Sequence, residues 1–251
     1  MHNISLDTFE NNGFAVAQRR PMVDPQVKEY LDQQLGRILE HRGVNHPFLN
    51  SYATRRLTRE QERILYLETA CYFRDVPFYI CSVVTLTRDE NIMREILANV
   101  RDEFGTDKSH AELFVEFLAA VGISKEDLAA YQPLPSTVAL NQGIFEIYTT
   151  PPLLRALGGL YAEETQSAGM VASYDAGLRN AGYDAEVRHF WTLHIAAEIG
   201  HSNSVFNCIH DYLQDPKNRV QFERGIDDYM RLLEAYWDGV EARIARAEQR
   251  A

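Results

Sequence analysis

Cysteine is scarce in this chain. Cys71, Cys81 and Cys208 form no C-x-x-C pair and cannot all pair with one another, which excludes a disulfide framework and fits a reducing compartment. Glycine and proline, 14 and 9 in 251 residues, fall mostly between periodic segments rather than inside them, so collagen-like, low-complexity and disordered classes are excluded. The longest apolar stretch, Phe78–Leu86, is interrupted by Ser82 and Thr85 and is far short of the ~20 residues that span a bilayer. Met1–Asp7 has no basic start leading into an apolar core, so no secretory signal is read there and a cytoplasmic location is expected. Positive charge is in deficit, with 25 Lys and Arg against 36 Asp and Glu, a net of −11. Such a field repels phosphates and anionic lipid, so neither nucleic acid nor a membrane surface is an expected partner. Sustained β alternation, internal repeats and linkers are missing as well.

What remains is an apolar fraction of 45% arranged at helical spacing. Asp24-Pro25 starts an amphipathic stretch reaching Arg42, and Thr58-Arg-Glu-Gln61 is a capping box opening a helix through Tyr72 that Pro77 ends or kinks. Further helices are expected over Arg88–Glu103, stopped near Gly105, over Lys108–Val121, stopped at Gly122, and as a short segment capped by Ser124. Thr137–Tyr148 follows. Pro151-Pro152 then starts a helix to about Gln166, which Gly169 separates from Met170–Asn180. A long Ala185–Leu213 segment and a terminal helix after Asp215-Pro216, with a fraying Glu241–Arg250 tail, complete the chain. One all-α domain, packed as a bundle, is the economical reading.

The chemistry concentrates in His189-Phe-Trp-Thr-Leu-His194-Ile-Ala-Ala-Glu198-Ile-Gly-His201. On a helix turning ~100° per residue, His194, Glu198 and His201 share one sector, the sector that also carries Trp191, Val205 and Cys208. Two imidazoles and a carboxylate converging on one point suit iron, manganese or zinc; a hydrogen-bonded helical core is the bland alternative. Apolar phase selects partners elsewhere. Glu103 follows Met93, Ile96 and Val100, while Asp102 shares a face with Glu95 and Asn99 and points outward. His110 leads the stripe Leu113, Phe114, Phe117, Val121, with Lys108 and Ser109 facing solvent. Glu164 aligns with Leu153, Leu157, Leu160 and Tyr161 and is preferred to Glu163, which follows Ala156 and Gly159 on another face. Glu68 continues Ile64 and Leu65 inward and is a seventh ligand, a partner orienting a ligand, or a substrate contact. Glu103, His110, Glu164, His194, Glu198 and His201 suffice for two divalent ions with open positions. His2, His41, His46, His189 and His210 are given no metal role.

The order Glu103-x6-His110, Glu164, His194-x3-Glu198-x2-His201, with Asn99-Val-Arg-Asp-Glu-Phe-Gly105 leading into His110-Ala-Glu-Leu-Phe, resembles the haem-oxygenase-like di-iron oxidases and oxygenases. The similarity covers about residues 46–213, leaving a terminal helix at about 216–247. It implies a single-domain helical bundle of the fold shared with haem oxygenase, thiaminase II and the pyrroloquinoline-quinone synthase. It also implies two ferrous ions, the second weakly held, and dioxygen as co-substrate. Glu198 stands where the family has Asp, and its extra methylene lets it chelate, bridge or swing aside. The implied substrate is small and bears an amine or carboxylate, an amino acid or a fatty-acid-like molecule. It is N-oxygenated, desaturated or cleaved at a C–C bond, with nitrile formation within the same chemistry. The setting would be amino-acid metabolism or natural-product biosynthesis. No ferredoxin or flavin motif is present, so electrons come from the substrate or an external donor, and a homodimer is compatible with the pattern. Arg74, Arg155 and Arg179 are available to a substrate carboxylate.

Three alternatives remain. A ferritin-like centre would use Glu68, Asp107-x-x-His110, Glu164 and Glu198-x-x-His201, leaving Glu103 and His194 without a role. A metal-independent enzyme of the same fold, similar to thiaminase II or the quinone synthase, would need one of the three cysteines as nucleophile. A non-catalytic helical interaction module would bind no iron.

Overall fold

The computed structural model describes residues 24–195 and 209–249. They contain helices and turns and no β-strand. We number the helices α1 (Pro25–Glu40), α2 (Pro47–Tyr52), α3 (Arg59–Phe73), α4 (Val76–Ser82), α5 (Glu90–Phe104), α6 (His110–Ala120), α7 (Lys125–Ala130), α8 (Pro135–Thr149), α9 (Leu153–Ala181), α10 (helical residues 189–195) and α11 (Pro216–Glu248).

Local chemistry sets most boundaries. Asp24, Asp89 and Asp215 each accept a hydrogen bond from a backbone N–H in the first turn of α1, α5 and α11, and full capping boxes start α3 at Thr58, α6 at Ser109 and α7 at Ser124. Ser109, expected to face solvent as an idle neighbour of His110, is therefore the cap that fixes where His110's helix begins.

α9 and α11 form the centre, with α8, α3 and α2 packed around them. Their backbones meet where Gly158 and Gly225 lie: a Cβ on Gly225 would overlap the Arg155 carbonyl, and one on Gly158 the Phe222 carbonyl. Three sequence expectations are corrected here. Gly169 does not divide a helix in two; α9 runs unbroken for 29 residues, because both halves bury side chains in the same core and an isolated helical glycine costs only ~1 kcal/mol. Nor is the tail loose, since α11 continues to Glu248 with Val240 and Ile244 buried. The Ala185–Leu213 segment opens with a turn, and helix begins only at 189. No described helix is long and apolar enough to cross a membrane.

Candidate metal centre

The turn between α5 and α6 creates the first ligand pair. Gly105 ends α5 at φ +61°, and a Cβ there would overlap the Lys108 carbonyl, so only glycine reverses the chain this tightly. The reversal returns His110, first residue of α6, to the last turn of α5, where its Nδ1 lies 3.1 Å from Glu103 Oε2. α10 supplies the next group: His194 Nε2 is 3.0 Å from His110 Nδ1, with ring centroids 4.2 Å apart. His194 Nδ1 lies 2.7 Å from the Phe190 carbonyl oxygen. A carbonyl only accepts, so Nδ1 carries the proton and donates it, and Nε2 presents its lone pair to His110.

α9 contributes two consecutive carboxylates, Glu163 and Glu164, both buried. Asn99 Nδ2, one turn before Glu103 on α5, donates to Glu164 Oε1 at 2.6 Å. Asn99 is itself buried and its Oδ1 has no hydrogen-bond partner. Tyr148 on α8 donates to Glu163 Oε2 at 2.5 Å, and the Tyr72 hydroxyl lies 3.5 Å from Oε1. Burial raises the Glu163 carboxyl; the Tyr148 hydrogen bond works against this, and the nearby Glu164 and Glu103 charges add to it, so the group is pushed up to about 8.

Glu103, His110, Glu163, Glu164 and His194 all line one cavity of about 150 Å³. Its remaining wall is mainly apolar, including Phe73, Ile80, Phe114, Met170 and Phe190. Placing Glu163 on a different face from Glu164 is thus corrected. α9 is buried on all sides from Ala156 to Ser167, so apolar phase carries no information there. The outward assignment of Asn99 is corrected too: a polar residue facing a polar site has the same hydropathy as one facing water.

The donor chemistry fits a metal ion. His110 Nδ1 carries at most one proton, yet it faces a carboxylate oxygen and an imidazole lone pair at 3.1 and 3.0 Å. A single proton cannot serve both acceptors well, whereas a cation meets both. Glu198 and His201, the other expected ligands, and Cys208 lie outside the described residues.

Glu68 is placed elsewhere. It is fully buried and accepts from Tyr131 Oη at 2.6 Å, from the Leu134 N–H at 3.1 and 3.2 Å, and from Thr137 Oγ1. These contacts pin α3 to the α7–α8 turn, and Glu68 does not line the cavity. Asp107, needed by the ferritin-like arrangement, is exposed. Cys71 lines a separate groove, and burial, then the Glu68 charge, push its thiol up to about 11. Arg155 is engaged by Asp228 and Arg179 by Asp175, whereas Arg74 lines the cavity.

Among the described residues, the group that brings three possible ligand atoms all within 4.8 Å of one another lies elsewhere: His46, Asp238 and Glu241. His46, set aside as a loop residue on sequence alone, is the fully buried N-cap of α2. Its Nδ1 accepts from the Phe48 N–H at 3.2 Å, its Nε2 lies 3.2 Å from Asp238 Oδ1, and Arg42 reaches the same oxygen at 2.7 Å. An ion there would compete with the Arg42 guanidinium for Asp238 and with the Phe48 N–H for His46 Nδ1, contacts by which His46, Asp238 and Arg42 join α2 to α11.

Residues 64–237 match the model of the iron-containing redox enzymes. The chain belongs to this family. It is an iron-dependent oxidoreductase with the haem-oxygenase-like all-α fold. Family membership is supported by 52% identity with 4-chloro-allylglycine synthase of Streptantibioticus cattleyicolor, across 92% of this chain and 90% of that one. The 4-aminobenzoate synthase of Nitrosomonas europaea is 29% identical across 75% of this chain and 82% of its own. Among solved structures, a protein with a heme oxygenase-like fold from Shewanella denitrificans superposes with a TM-score of 0.73 at 18% identity, covering 92% of this chain and 97% of that one. That last likeness concerns the fold alone.

Proposed function

We propose that this family member is an O2-activating di-iron oxidase or oxygenase acting on an amino acid or a close derivative. Its two ferrous ions would be held by Glu103, His110, Glu164, His194, Glu198 and His201, the second of them weakly. The observation that carries this reading is the placing of Glu103 and His194 on either side of His110 Nδ1, with Glu164, at the wall of an otherwise apolar cavity. When bound, a ferrous pair supplies the electrons that reduce dioxygen, which zinc cannot do. The chain supplies the rest. Asn99 orients the Glu164 carboxylate, the Phe190 carbonyl keeps the proton of His194 on Nδ1, and the aromatic wall excludes water from the reacting groups.

The name of the 52% identical relative describes the making of an unsaturated amino acid. This favours an amino-acid substrate over a fatty-acid-like one, and desaturation or C–C cleavage over N-oxygenation. The metal-independent alternative of the same fold receives no support from Cys71, whose raised thiol lies off the cavity.

The test is anaerobic loading with ferrous iron, followed by oxygen with amino acids and fatty acids offered singly, reading oxygen uptake and product mass. Iron at two per chain and uptake stimulated by an amino acid, with an alkenyl amino acid as product, is the expected result. Tight binding of one zinc ion with no oxygen consumption for any candidate would overturn the proposal.

A further inference from the structure

Glu163 has no assigned role in this scheme, and its surroundings are unusual. Its hydrogen-bond partners are two phenols, Tyr148 on Oε2 at 2.5 Å and Tyr72 on Oε1 at 3.5 Å. The Tyr72 contact is at the limit of a hydrogen bond, and the Tyr72 hydroxyl is closer to Tyr229 Oη, at 2.6 Å, than to Glu163. One carboxylate oxygen is therefore firmly held and the other weakly used, next to a tyrosine that itself lines the cavity. Among the described residues, no arginine or lysine makes a hydrogen bond or ion pair with Glu163. Arg74, the one arginine or lysine among the described residues that line the cavity, is 70% exposed and turned onto Asp75 at 2.9 Å. Ionising a buried carboxyl without a cationic partner is costly, and a small cationic group arriving in the cavity offsets that cost.

From this geometry we propose that Glu163, braced by Tyr148, is the specificity-determining residue that receives the ammonium group of the substrate. It distinguishes amine-bearing molecules from carboxylates of equal length. The inference rests on the proposed function for the meaning of "substrate", but it concerns a contact separate from the iron ligands. Glu164, the neighbouring residue, is tied to Asn99.

The experiment uses Glu163→Gln, an isosteric change that leaves Tyr148 an acceptor, beside Glu164→Gln. Ferrous iron per chain is measured anaerobically. The iron-loaded proteins are then titrated by calorimetry with norleucine, hexylamine and hexanoate, probes of equal chain length. Glu163→Gln is expected to keep the iron content of the unaltered protein, to weaken norleucine and hexylamine by about tenfold or more, and to leave hexanoate unchanged. Glu164→Gln is expected to lose iron. Loss of iron in Glu163→Gln would make it a metal ligand and overturn the inference. So would equal weakening of all three probes, unchanged amine binding, or an unaltered protein that does not favour amines over hexanoate. If the unaltered protein takes up no iron, the functional reading fails instead. The same probe comparison on the iron-free protein then decides the role of Glu163.

Discussion

Removing the Asn99 amide isolates what it does for Glu164. Asn99→Ala deletes the 2.6 Å hydrogen bond that orients the carboxylate and is expected to weaken ferrous binding by roughly 10–100-fold, with little change in unfolding temperature. Affinity unchanged in an anaerobic competition titration would show that the contact does not matter to the metal. Glu163 makes a separate prediction for chelator-treated protein. Its carboxyl is pushed up to about 8, whereas an unfolded glutamate titrates near ~4.3. Below that lower value both states are protonated and nothing is lost. As pH rises through the window, the unfolded chain releases a proton that the folded chain keeps, so stability falls until about pH 8, by a few kcal/mol. Melting temperatures of the metal-free protein should decline across this range and decline less in Glu163→Gln; parallel curves would contradict the assignment. At this scale the sequence was partly legible. Glu103 and His110 stand at ends of amphipathic helices with a clear apolar stripe, and the structure brings both to the cavity. Glu163 and Asn99 were misread, because a helix buried all round has no outward face and a polar residue on a wet site looks like one in solvent.

Two contacts between helices can be broken separately, one away from the site and one beneath it. Glu68 joins α3 to the α7–α8 turn by accepting from Tyr131, Leu134 and Thr137. Glu68→Ala leaves these donors without an acceptor and is expected to cost ~3–5 kcal/mol of stability while iron per chain stays unchanged at low temperature. A loss of iron without a loss of stability would instead make Glu68 part of the centre. Gly225→Ala forces α9 away from α11 by backbone overlap with Arg155. An overpacking cost of at least ~1–3 kcal/mol, together with lowered iron affinity through displacement of Glu163 and Glu164, is expected in thermal melts and ferrous titrations. Full iron affinity in a folded Gly225→Ala protein would show that the central helix pair does not position the site. Helix starts were readable because capping is local chemistry. The continuity of α9 past Gly169 was not, since tertiary packing on both flanks overrides a single weak residue.

For the molecule as a whole, the absence of β pattern and the order of the six ligand candidates along the chain pointed to the fold that the iron-containing redox enzymes share. The cavity was beyond the reach of sequence, because its wall draws on helices α3 to α7, α9 and α10, far apart in the chain. Iron held only by the folded state stabilises it by mass action, ~2.7 kcal/mol at a hundredfold excess over the dissociation constant, so anaerobic ferrous iron should raise the melting temperature and a chelator should reverse it. The most direct measurement is anomalous diffraction at the iron edge from anaerobically loaded crystals. Two peaks within ~4 Å of each other, flanked by Glu103, His110, Glu164 and His194, are expected. A single peak at His46, Asp238 and Glu241, with none in the cavity, would contradict the account.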